Sequence, residues 1–339
     1  MSGALQHRPD LHDHLAPPGS EVNSYIKVSD VATTDNFPQE HPVYEFTSKT
    51  TINEALHGLA EHNYLSAPVW DEESKKYLGF VDVCDLLAVS VSLDSLVHLL
   101  PVGMLTSPKK SKANTSPALA EIFESGSSPS SPWCPVEEGT PMKVVLKLLA
   151  TKARRVPVLS KTTGRVKQII SQSAVVALLH ERLKSDVLPD TPMNSGVGIK
   201  EVLGVSENDK ARDAFEMMVE KNISAVAVFD ADGALLSCIS TKDIRVLPRI
   251  ESAGLDGVNP LDLTAREFVS MVRLATEKDG KTHAACVAVP VDSSLSVVLG
   301  KMAVTKVHRV FIVHQDHRAV GVISASDIIF ILNNAQPRE

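Results

Sequence analysis

Absences narrow this chain first. In 339 residues no apolar run approaches the about 18 residues a membrane-spanning helix needs, so no span is expected. Residues 1–30 are polar and His-rich, without the apolar stretch of a secretory leader. The four cysteines, Cys84, Cys134, Cys238 and Cys286, show no CxxC spacing. They read as reduced thiols of a cytoplasmic and/or nuclear protein, not as a disulfide frame or zinc site. His12-Asp13-His14 reads as solvated tail rather than as metal ligands. There is no Walker glycine loop and no spaced His-Glu or Cys-His set, so nothing marks an active site. The net charge of -7 excludes a generic nucleic-acid or anionic-membrane binder. What is present is 43% hydrophobic residues with mixed charge, enough for two or three globular domains.

The chain also repeats itself four times. Each copy opens with apolar residues at helical spacing: Ile52/Ala55/Leu56/Leu59, Met142/Val145/Leu146/Leu149, Ala211/Ala214/Phe215/Met218 and Leu295/Val298/Leu299/Met302. A short strand follows, centred on Ala67-Pro68-Val69, Val156-Pro157-Val158, Val226-Ala227-Val228 and Val310-Phe311-Ile312. At a near-constant interval comes a third element: Asp82-Val83-Cys84-Asp85, Ser171-Gln172-Ser173-Ala174, Ser240-Thr241-Lys242-Asp243 and Ser324-Ala325-Ser326-Asp327. Each unit reads strand, helix, strand, strand, helix. One such α+β unit cannot bury both faces of its sheet, so the four should pair into two modules.

The expected organisation is a loose tail over 1–41, repeats over 42–99, 133–184, 199–248 and 284–334, a Ser/Pro-rich linker over 100–132 and a second linker over 185–198. A connecting helix and loop fill 249–283. A short helix is expected within the first linker, at Pro117 to Phe123. Thr51 to Glu54 has capping-box spacing, Thr140-Pro141 suits N-cap and N1, and Thr264 to Glu267 starts the extra helix. Asp230-Ala231-Asp232-Gly233 reads as a hairpin turn.

The signature carries the chemistry. Ser240-x-x-Asp243 and Ser324-x-x-Asp327 each follow a strand and open a helix. One reading is a capping box, in which the Ser side chain takes a backbone N–H and the Asp answers. The other adds a ligand: a helix N-terminus with a hydroxyl seats phosphate or ribose, and a carboxylate accepts from a ribose diol. Phosphate needs cations, and two repeats supply them just before the second strand, as Arg154-Arg155 and His308-Arg309. Apolar residues such as Ile223, Ala225 and Val226 could wall an adenine.

With those residues the repeats resemble cystathionine-β-synthase-type (CBS) repeats, which pair into Bateman modules. The third and fourth copies are similar to the gamma subunit of AMP-activated protein kinase and its relatives, over about 42–333. The Ser-rich insertion and tail resemble the plant gamma-like subgroup. The resemblance implies a non-catalytic subunit that binds AMP, ADP or ATP and joins alpha-type catalytic and beta-type scaffold subunits. Its ligand set would be Ser240, Asp243, Ser324, Asp327, Arg154, Arg155, His308 and Arg309, with Ser171 and Asp85. Repeat one departs from the family by Asp82 for Thr or Ser and Leu65 for a phosphate-binding Arg. Repeat two has Ala174 in place of an acid, and Ser173 where the kinase subunits carry Lys. Tight sites are therefore expected only where Asp243 and Asp327 serve. A scaffold that no longer responds to nucleotide is the alternative.

Overall fold

The computed structural model describes residues 33–38, 42–92, 119, 123, 132–182, 199–246, 259–278 and 286–334. His12 to His14, most of the Ser/Pro-rich linker and the 185–198 linker lie outside them.

Four units repeat one plan. The first runs β1 (Phe46–Thr47), α1 (Ile52–Glu61), β2 (Ser66–Asp71), β3 (Lys76–Asp82) and α2 (Val83–Ser92). The second runs β4 (Val136–Glu137), α3 (Met142–Thr151), β5 (Arg155–Leu159), β6 (Val166–Ser171) and α4 (Gln172–Arg182). The third has β7 (Gly204–Ser206), α5 (Ala211–Glu220), β8 (Ala225–Phe229), β9 (Leu235–Ser240) and a 3-10 turn over Thr241–Val246 where an α-helix was expected. Helix α6 (Ala265–Lys278) connects it to β10 (Ala288–Pro290), α7 (Leu295–Thr305), β11 (Arg309–Val313), β12 (Ala319–Ser324) and α8 (Ala325–Asn334). In each three-stranded sheet the first strand pairs parallel with the second, and the second antiparallel with the third.

Local signals explain the element starts. Thr51 and Glu54 close a reciprocal capping box on α1. Thr264 and Glu267 make the same exchange before α6. Asp230 Oδ1 accepts from the Asp232 and Ala234 N–H groups at 2.9 and 2.8 Å, and Gly233 takes φ +78, which only glycine adopts without steric cost. Leu119 and Phe123 are helical, as expected for the linker's short helix. One cap differs. Pro141, not Thr140, is the N-cap of α3, and it makes no side-chain cap. The Thr140 backbone instead holds an earlier segment, its carbonyl accepting from Thr34 N at 2.9 Å.

That segment, 33–38, is therefore docked rather than loose. Gln168 Nε2 donates to Phe37 O at 3.0 Å, and Phe37 is buried in the second unit's core. Likewise Lys200 exchanges both backbone hydrogen bonds with Val322 of β12, at 3.0 Å each. The stretch before unit one thus lies against unit two, and the stretch before unit three against unit four.

The four helical stripes point inward as their spacing predicts, except Leu146, which is half-buried. Sheets face each other across units one and two, and across three and four. Tyr77 Oη accepts from Val166 N at 2.9 Å, and Arg165 stacks 4.0 Å over Trp70. Leu235 N donates to His317 O at 2.9 Å. The apolar cores join the units differently: one cluster unites units one and three, with Phe215 edge-on to Phe268 of α6, and the other unites two and four. Every unit is thus covered by one neighbour on its sheet and another on its helices.

Candidate functional site: clefts around a shared cation cluster

The third strand of each sheet ends where the next helix begins, and register makes four positions equivalent. Asp82 lies opposite Ser66, Ser171 opposite Arg155, Ser240 opposite Ala225 and Ser324 opposite Arg309. Residues just before the second strand, Leu65, Arg154, Ser224 and His308, come beside them at the middle of the molecule.

Three clefts open there. One of about 400 Å³ is lined by Ile223, Ala225, Arg154, Arg309, Ser324 and Asp327. A second of about 390 Å³ is lined by Ser240, Lys242, Asp243, Arg154, Arg155 and Arg309. A smaller one, of about 220 Å³, lies between units one and two with Tyr44, Tyr64, Arg155, Ser171 and Ala174. His308 borders all three. The structure therefore brings together nine of the ten residues read from the sequence. Asp85 is the exception. It is buried outside these clefts, and its Oδ2 accepts the Asp82 backbone N–H at 2.9 Å.

The carboxylates are held by their own turns. Asp243 Oδ2 accepts from Ser240 N at 2.7 Å and from its hydroxyl at 3.1 Å. Asp327 Oδ2 accepts from Ser324 N at 2.8 Å and from the Ser324 hydroxyl, while its Oδ1 pairs with Lys200 Nζ at 2.9 Å. The acid half of a capping box is in place at both turns, each Oδ2 accepting its Ser N–H, and each Ser hydroxyl also donates to the same carboxylate. Ser171, which is followed by Ala174 in place of the acid, accepts from Ala174 N at 3.1 Å.

The cations differ in their partners. Arg155 Nη1 meets Asp82 Oδ2 at 3.0 Å, both groups buried. Arg155, expected to hold phosphate, is thus already paired inside the chain. Asp82, where repeat one departs from the family's Thr or Ser, is the group that takes it. Arg309 Nη2 donates to Ser224 Oγ at 2.6 Å, a neutral partner. His308 contacts Ser173 Oγ at 3.3 Å. Burial, then Lys242 and three arginines, push His308 well below its ordinary pKa, so it is neutral near pH 7. Burial and the neighbouring Arg245 push Lys242 down to about 8. Such depression marks cations crowded without enough anion, and a phosphate relieves it.

Lys242, Lys200, Ser224 and Arg245 were missed in the sequence. Lys242 lies inside the Ser-Thr-Lys-Asp signature, and Ser224 at the position that carries Arg154 and His308 in other repeats, so both were findable by register. Lys200 and Arg245 come in through tertiary packing. Among the described residues no cluster of His, Cys, Asp and Glu could hold a metal, and no helix is long and apolar enough to cross a membrane.

Repeated units of this plan around a common polar centre define a class. Residues 28–92, 195–248 and 283–334, about half of the chain, match the CBS domain, and the chain belongs to that family. The second unit completes the set by its structure. Within the family the chain is homologous, at low identity, to gamma subunits of 5'-AMP-activated protein kinase and to SDS23-type proteins. It is 23% identical to the Homo sapiens gamma-3 subunit over 97% of this chain and 67% of that one. It is 30% identical to an Arabidopsis thaliana SNF1-related protein kinase regulatory subunit gamma-1-like protein, over 58% of this chain and 46% of that one. The chain thus spans two thirds or less of these relatives' lengths. In fold it is similar to a Methanocaldococcus jannaschii protein named as an archaeal homologue of the same gamma subunit. The TM-score is 0.65 at 14% identity, covering 88% of this chain and 98% of that one.

Proposed function

We propose that this chain is a non-catalytic, gamma-type regulatory subunit of a protein kinase, binding adenine nucleotide in the two clefts that end on Asp243 and Asp327. The observation that carries the reading is the convergence of Arg154, His308 and Arg309 on both clefts. Apolar residues such as Ile223 and Phe311 offer a base its wall, the helix-start turns offer ribose its acceptors, and the cations meet phosphate. AMP, ADP and ATP all fit that division of labour. The partners of this reading are a catalytic alpha-type and a scaffold beta-type chain of the plant SNF1-related kind, and the similarity to kinase gamma subunits supports it.

Isothermal titration of the purified chain with AMP, ATP and adenosine tests the ligand. Saturable binding that favours AMP over adenosine is expected, and no binding of any of them would leave an interaction scaffold as the better reading. Native co-purification tests the partners, with kinase chains expected in stoichiometric amount.

A further inference from the structure

The two sheet-paired modules treat equivalent arginines differently. Arg155 and Arg309 occupy the same place, each the first residue of the second strand in an even-numbered unit. Arg309 reaches back to the Ser224 hydroxyl of its partner unit. Arg155 reaches back to a carboxylate of its own partner unit, Asp82. Asp82 stands where Ser240 stands in the third unit, at the end of the third strand and the start of a helix.

Asp82 is also pinned from its other side. Its Oδ1 accepts the Cys84 N–H at 2.9 Å, in the first turn of α2. A backbone N–H at a helix start plus an arginine fork is the pair of donors that an anion seeks. Asp82 takes both. It is 3% exposed and Arg155 9%, so water does not weaken the pair. Burial alone would raise the Asp82 carboxyl, but the charges of Arg155 and Arg154 outweigh it and keep the group ionised.

We propose that Asp82 is a built-in anion that fills the phosphate seat between the first and second units and so restricts nucleotide to the clefts of the third and fourth. The proposal deepens the nucleotide reading and rests on it. A ligand phosphate competing for Arg155 would have to expel a tethered carboxylate and leave it buried and unpaired. The Asp82 side chain pays no association entropy, so the free ligand loses that competition. Arg309, whose partner is a hydroxyl, carries no such restriction.

The experiment titrates AMP and adenosine into the full chain and its D82S and D82N variants, with thermal melts to confirm folding. D82S is expected to tighten AMP about tenfold, or to add an AMP site, while adenosine changes less than twofold. The gain should vanish in the D82S/R155A double variant. D82N keeps the side-chain shape without its charge, and should show part of the gain even where D82S folds poorly. Wild-type binding with no gain in either variant overturns the proposal alone. No AMP binding by wild type or either variant overturns the nucleotide reading and this assignment with it.

Discussion

Arg309 donates to Ser224 Oγ at 2.6 Å across the boundary between the third and fourth units. The guanidinium is half-buried on the wall of two clefts and, among the described residues, has no carboxylate in ion-pair contact. Its charge is therefore available to a ligand. Arg309→Ala should weaken AMP by roughly ten- to a hundredfold, the loss of one charge-assisted hydrogen bond. Adenosine should change little. Calorimetry with both ligands checks it, and equal losses would assign Arg309 to packing.

Asp85 and Asp327 share a signature position but not a role. Asp85→Ala removes the buried acceptor for the Asp82 N–H and should cost about 1–3 kcal/mol of stability. AMP affinity should stay within about twofold. Asp327→Ala removes the acceptor for Ser324 N and the Lys200 pair, costing about 1 kcal/mol of stability, and should weaken AMP strongly. Denaturant melts beside titrations separate the two, and a strong affinity loss in Asp85→Ala would contradict this division.

Lys242 sets a pH dependence. Its folded pKa of about 8 lies below the ordinary lysine value of about 10.4. Below pH 8 the folded chain must carry an unfavourable charge, so the penalty is fully present there. Between about pH 8 and 10.4 the unfolded chain holds a proton that the folded one releases, and the penalty fades as pH rises. Lys242→Met should therefore melt higher than wild type at pH 7, with the difference shrinking toward pH 10. A constant difference across that range would mean the lysine is not strained.

Gly321 in β12 leaves room for the strand segment at Ile199 and Lys200. A Cβ there would collide with Ile199 Cγ2, the residue next to Lys200 in that segment. Gly321→Ala should cost about 1–3 kcal/mol by overpacking. It should also weaken AMP, because Lys200 lines the cleft that holds Asp327. An unchanged melting temperature would show that the segment yields freely.

Sequence alone determined the unit. Periodicity of 3.6 in four stripes and short apolar strands at near-constant intervals are local patterns, and helix and strand follow from them by burial of one face. The capping boxes at Thr51 and Thr264 and the turn at Asp230–Gly233 are likewise set by residues within a few positions. The signature at Ser240 to Asp243 and Ser324 to Asp327, and the cations beside it, were legible because the repeat puts them in register.

Tertiary structure decided who meets whom. Asp82 and Arg155 belong to different units, and nothing local in either indicates that a buried pair forms between them. Thr140 became an anchor for Thr34 because a distant segment needed its carbonyl. The division into two apolar cores, units one with three and two with four, depends on how helices from separate units fit together. Those partnerships are long-range free-energy differences between packings, and a repeat that fixes each unit's inner face leaves them open.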